Sequence, residues 1–141
     1  MSWLSKQSVV VPVDFSEDSF QAVGVGLEFV SDPSRLHVIH VVRPWGATDP
    51  EVMEIIPDKD RLNKAQGRLD ERLSALGHTQ VSSIVVIGNP GLEITRYAEK
   101  AEAELIVMPS HGRTGLSRLA LGSVAERVAR MAHCPVLILR Q

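Results

Sequence analysis

Five short apolar runs, at residues 9–13, 36–42, 81–87, 105–108 and 136–139, alternate along the 141-residue chain with four segments of helical period. The first, Val9-Val10-Val11-Pro12-Val13, is apolar without interruption, which suits a parallel strand covered on both faces. Parallel neighbours cannot be joined by a tight hairpin and need a crossover long enough to hold a helix. Strand–helix alternation therefore predicts a three-layer α/β/α sandwich with a parallel sheet and right-handed connections, in one domain spanning residues 1–141. In such sheets ligands bind beyond the carboxyl ends of the strands, where strand order reverses.

Local signals place the helices. Ser16 can cap a helix that carries Glu17 and Asp18 in its first turn, with Phe20, Val23, Leu27 and Val30 on one stripe and Asp32-Pro33 as its stop. A second helix starts at Asp58, carries Leu62, Ala65, Leu69, Leu73 and Leu76 inward, and ends at Gly77. The turn Gly88-Asn89-Pro90-Gly91 opens a third helix with Ile94, Ala98 and Ala101, and residues 123–132 form the last, with Val124, Val128 and Ala132 inward. Residues 43–57 lack a period and contain Pro44, Gly46, Pro50 and Pro57, so they read as a long connection. Its apolar Trp45, Val52, Met53, Ile55 and Ile56 leave three roles open: a cover over the crevice, a docking surface, or ordinary packing on the sheet end.

Composition excludes several functions. The formal net charge of -2 leaves no basic footprint for nucleic acid, and Arg127, Arg130 and Arg140 read as a solvated face. A single cysteine, Cys134, forbids an internal disulfide or a cysteine metal site and reads as a small buried hydrophobe. His37, His40, His78 and His133 show no metal-ligand spacing. No apolar run approaches the ~18 residues of a membrane span, and residues 1–8 lack the apolar core of an export signal. The expectation is a cytoplasmic protein without metal, membrane or nucleic-acid partner.

Chemistry concentrates after the fourth run. Leu105-Ile106-Val107-Met108 leads through Pro109-Ser110-His111 into Gly112-Arg113-Thr114-Gly115, and nine residues after Gly112 comes Gly122-Ser123 at the start of the last helix. A strand that empties into glycine-rich backbone and then onto a helix start offers free N–H groups and the positive end of the helix dipole to a phosphate. With the first strand central, this segment shares a crevice with Val13-Asp14. Plainer readings stand beside this one: Asp14 ordering a turn, Gly122-Ser123 as a simple helix start, and His111 in a loop hydrogen bond instead of acting as a base or magnesium ligand. A Walker-type lysine is absent, although Arg113 and Arg118 can supply charge. Ser110, His111 and Asp14 combine into a triad only on paper, without a GxSxG elbow, so no catalytic residue is assigned.

These residues together resemble the universal stress protein family along the whole chain. Val11-Pro12-Val13-Asp14-Phe15-Ser16 is similar to its first strand and turn, His40-Val41-Val42 to the end of its second strand, and Gly112, nine residues, Gly122-Ser123, then Cys134-Pro135-Val136-Leu137 to its ending. The resemblance implies strand order 3-2-1-4-5 of the adenine nucleotide alpha hydrolase-like, Rossmann-like class, and an ATP or AMP ligand, with Mg2+ accompanying ATP. It implies Asp14, flanked by Pro12 and Val13, on the adenine or ribose side, Val41 reading the adenine edge through its backbone, and Met108 against ribose or base. Gly112 and Arg113, then Gly122, Ser123 and Val124, would form the phosphate loop. The departure is Pro109, where nucleotide-holding members usually carry glycine, because proline removes one N–H donor. The resemblance also implies a homodimer through strand 136–139 and a protein client. Two functions follow: a nucleotide-sensing stress protein without assigned catalysis beyond slow ATP hydrolysis or autophosphorylation, and a dimeric interaction module that has lost the nucleotide.

Overall fold

The computed structural model describes residues 4–44, 57–111 and 121–140. Val9–Pro12 (β1), Leu36–Val42 (β2), Ser82–Ile87 (β3), Leu105–Pro109 (β4) and Val136–Leu139 (β5) form a parallel sheet of order β3-β2-β1-β4-β5. Between them run Glu17–Leu27 (α1), Asp58–Ala75 (α2), Pro90–Lys100 (α3) and Ser123–Met131 (α4), with a 3-10 turn at Pro33–Arg35 leading into β2. Both the three-layer architecture and the 3-2-1-4-5 order agree with the sequence reading.

Strand side chains alternate between two cores. Val9, Val11 and Val13 pack with Phe20 and Val23 of α1 and with Leu69 and Leu73 of α2, while Val10, Ile106 and Met108 pack with Ile94 and Ala98 of α3 and Ala125 and Val128 of α4. All of β1 is buried, which is why its run contains no polar residue. Helix starts follow the capping signals: the Ser16 side chain accepts from the Ser19 N–H at 3.2 Å, and Asn89 Oδ1 accepts from the Leu92 N–H at 3.2 Å. Gly77, at φ +82°, stops α2 in a left-handed conformation that a side chain would strain, and the His78 N–H then returns to the Leu73 carbonyl at 2.8 Å.

The structure departs from the periodicity at element ends. The first helix stops at Leu27, and Val30 pairs in a bridge with Lys6, because the Lys6 N–H takes the Phe29 carbonyl at 2.7 Å and draws the chain out of the helix. Leu76 caps α2 and is 44% exposed, so the inward stripe ends at Leu73. The fourth strand runs through Pro109, one residue past the apolar run. Of the 43–57 connection, residues 45–56, including Trp45, Val52, Met53, Ile55 and Ile56, lie outside the described residues.

Register opens the molecule on one side only. β1 follows β2 from Val9↔Leu36 to Pro12↔Ile39, and β4 follows β5 from Ile106↔Val136 to Pro109↔Leu139. β1 and β4 pair only at Val9↔Leu105 and Val10↔Ile106. Beyond that point the two central strands part, at the place where strand order reverses.

Candidate functional site

The parting of β1 and β4 produces a cavity of about 450 Å³. Pro12, Val13, Asp14, Val41, Met108, Pro109, Gly122, Ser123 and Val124 all line it, so nine of the sequence-derived candidates meet in one place. Gly112 and Arg113 lie outside the described residues, as do Gly115 and Arg118.

Backbone phase decides what each strand end offers. The Ile39 carbonyl accepts from the Val13 N–H on the β1 side, and the Val42 carbonyl accepts from the Gly88 N–H on the β3 side. Val41, in phase with Ile39, therefore turns its N–H and C=O away from β3, toward the space that β1 vacates after Pro12. A donor and an acceptor side by side at a cleft wall suit the edge of a planar heterocycle, whatever side chain the residue carries.

The same argument places both prolines. Ile106 and Ser110 donate their N–H groups to β5, at the Pro135 and Leu139 carbonyls (3.0 and 2.9 Å), so the nitrogen of Pro109 faces the β1 side. Because Val13 faces β2, the nitrogen of Pro12 faces β4. Neither proline removes a ladder bond, since the β1–β4 ladder has already ended. Pro109 is thus a strand residue with its missing donor on the cleft side, not a residue within the glycine turn.

One wall of the cleft is a tight turn after β1. Asp14 Oδ1 accepts from the Ser16 N–H at 3.0 Å, its own N–H donates to Ser19 Oγ at 3.3 Å, and Ser19 Oγ donates to the Ser16 carbonyl at 2.8 Å. The plainer role for Asp14, ordering this turn, is therefore real, and it holds the carboxylate at the cleft wall. Between them Phe15 takes φ +67°, a costly conformation for an aromatic residue. Its ring packs edge-on against His40 at 4.7 Å, and the Arg68 guanidinium lies 4.5 Å over it. His40 Nδ1–H donates to the Val13 carbonyl at 2.8 Å, tying the end of β2 to the end of β1.

The opposite wall is the start of α4. The Gly122 N–H donates to the Ser110 carbonyl at 2.7 Å, which brings the end of β4 against the helix start. Among the described residues no side chain caps that helix, so its first amides point at the cleft without a side-chain acceptor from them. Ser110 Oγ lies 3.2 Å from His111 Nδ1, the loop hydrogen bond expected for this histidine. His111 Nε2 is nevertheless buried without a hydrogen-bond partner among the described residues, and the residue lines the cleft. A buried orphan nitrogen is costly unless something else satisfies it.

Sequence reading missed His40, Ser19, Arg43 and Ile94 as cleft residues. Ile94 was legible only as core, and it is indeed 2% exposed, forming floor and core at once. Histidine 40 gave no local signal, because its partner is 27 residues away. Outside the cleft, burial pushes His37 down, Tyr97 up and the Cys134 thiol up.

Comparison with known proteins agrees with this geometry. The Universal stress protein family profile matches residues 6–140. Universal stress protein MJ0531 of Methanocaldococcus jannaschii is 33% identical over 141 residues, covering 96% of this chain and 82% of that protein. The solved structure of protein MJ0577 of the same organism superposes with TM-score 0.76 at 28% identity, covering 96% of each chain. Two further structures share the fold: a universal stress protein in complex with cAMP (TM-score 0.64, 24% identity, 96% and 97% covered) and one from Archaeoglobus fulgidus in complex with dAMP (0.54, 23%, 94% and 96%). This chain belongs to the universal stress protein family.

Proposed function

We propose that the cleft binds an adenine nucleotide, ATP or AMP with Mg2+ accompanying a triphosphate, and that the protein acts as a nucleotide-responsive regulator in the cytoplasmic stress response. The observation that carries this is Val41: its backbone donor and acceptor face a cleft whose far wall is the start of α4, which no side chain caps among the described residues. Adenine on β2 and phosphate at α4 accounts for both features with one ligand. Asp14 then accepts from a ribose hydroxyl, Met108 packs against the sugar or base, and His111 Nε2–H donates to a phosphate oxygen. The cAMP and dAMP complexes of two structural relatives support the ligand class.

Calorimetry with AMP, ATP and GMP tests the reading. Adenine-dependent binding, lost in a Val41→Pro variant that stays folded by circular dichroism, is the expected result. Failure of AMP and ATP to bind, in this protein and in Pro109→Gly alike, would leave the reading of an interaction module that has lost the nucleotide.

The dimer is proposed on separate grounds. Four half-buried apolar residues make up β5, which ends the sheet order. An open apolar edge strand favours pairing with a second copy. Light scattering on Leu137→Glu/Leu139→Glu should give monomers; an unchanged dimer would remove the assignment. A client protein would read the loop state across that dimer.

A further inference from the structure

A second, smaller cavity of about 120 Å³ adjoins the cleft, sharing Arg43, Pro90, Ser123 and Val124 with it. Its remaining walls include Asn89, Gly91 and Arg127, and among the described residues no carboxylate lines it. We infer that this cavity is an anion subsite that takes the terminal phosphates of a nucleoside di- or triphosphate whose base lies in the cleft. The inference rests on the nucleotide reading and adds where the phosphate chain goes.

Charge pairing separates these arginines from their neighbours. On α3 Arg96 pairs with Glu93 at 3.4 Å, and on α4, which carries Arg127, Arg130 pairs with Glu126 at 2.7 Å. Arg43 and Arg127 have no carboxylate partner among the described residues. Two guanidiniums that line one cavity without a carboxylate partner among the described residues gain from an anion in it. The expectation that Arg127 is merely part of a solvated face is revised here: it is exposed, and it also walls a cavity.

The backbone is built around the same spot. The stem of Arg127 lies across the first turn of α3, where a Cβ on Gly91 would come within 2.7 Å of its Cδ. Glycine at that position lets the arginine reach the cavity. Arg43 is fixed from the other side, its carbonyl accepting from Arg61 Nη2 at 2.7 Å. Asn89 Oδ1 is engaged by the Leu92 N–H, which leaves its amide hydrogens as the part of that side chain able to meet an anion. The starts of α3 and α4 both border the cavity, so two helix dipoles add positive potential. Ser123 touches both spaces and marks the route by which a phosphate chain passes from one to the other.

The test compares AMP and ATP on the full chain by calorimetry, with and without Mg2+, in the wild type, Arg127→Gln, Arg43→Gln/Arg127→Gln and the control Arg130→Gln. The ratio of ATP to AMP affinity should fall about tenfold in Arg127→Gln and further in the double variant, and stay unchanged in Arg130→Gln; the salt dependence of ATP binding should weaken with it. An unaltered ratio in the double variant, with AMP still bound, would overturn the subsite and route the phosphates along the glycine segment instead. Should AMP fail to bind at all, the cleft reading fails separately. Pyrophosphate titrated against the amide resonances of Gly91, Ser123 and Arg127 then judges the cavity alone: shifts abolished in the double variant support it, and no shift in the wild type sinks it.

Discussion

Pro12 and Pro109, the last residues of β1 and β4, turn their nitrogens toward the same gap between the two central strands. Neither can donate across it, and both lie beyond Val10↔Ile106, where the ladder between the two strands stops.

That relationship fixes the expected effect of Pro109→Gly. The substitution returns an N–H to the cleft side, where a hydrogen bond to a charged phosphate is worth about 1.5–3 kcal/mol. Nucleotide affinity should rise roughly ten- to a hundredfold by calorimetry. Stability should fall by about 0.4–1 kcal/mol, because glycine frees the unfolded chain. Weaker binding in Pro109→Gly would show that the ring itself packs on the ligand.

A second prediction concerns the tie between β2 and β1. His40→Phe keeps a ring against Phe15 but leaves the Val13 carbonyl without its 2.8 Å donor. Loss of about 0.5–1.5 kcal/mol is expected by urea denaturation, with weaker nucleotide binding because Val13 and Val41 flank the same opening. Unchanged stability and affinity would reduce the contact to a bystander.

Features written in local sequence were legible. Ser16 and Asn89 cap the helices they announce, and the 136–139 run is β5 as printed in the chain. The cleft was legible as a set because strand ends and one helix start converge by topology. What each residue does there was not. Val41 acts through backbone phase, which its side chain does not encode. His40 meets Val13 across 27 residues, and Arg127 gains its cavity only from the packing of α4 on α3. Pro109 looked like a glycine lost from a turn, and register with Leu139 made it a strand residue instead.

Close packing of α1 on the sheet gives a third prediction. A Cβ on Gly26 would lie 2.8 Å from Val11 Cγ2 and 2.9 Å from Leu36 Cδ1, both on fully buried side chains. Overpacking of this kind costs about 1–3 kcal/mol, offset in part by the helix propensity of alanine. Gly26→Ala should lower the unfolding midpoint, whereas Gly24→Ala, with nothing within 4 Å of its Cβ, should raise it. The reverse order would mean that α1 moves off the sheet at little cost.

His37 supplies the pH dependence. Its Nδ1 lies 3.1 Å from the Tyr97 hydroxyl, and burial holds its pKa below the ordinary 6.5. The unfolded chain therefore binds the proton more readily than the folded one. This contribution to stability is fully present above pH 6.5 and is lost as pH falls from there toward the lowered folded value. Urea midpoints at stepped pH should decline over that window in the wild type and decline less in His37→Gln, which keeps a polar partner for Tyr97 without the titration. Parallel profiles for the two proteins would assign the acid sensitivity to another group.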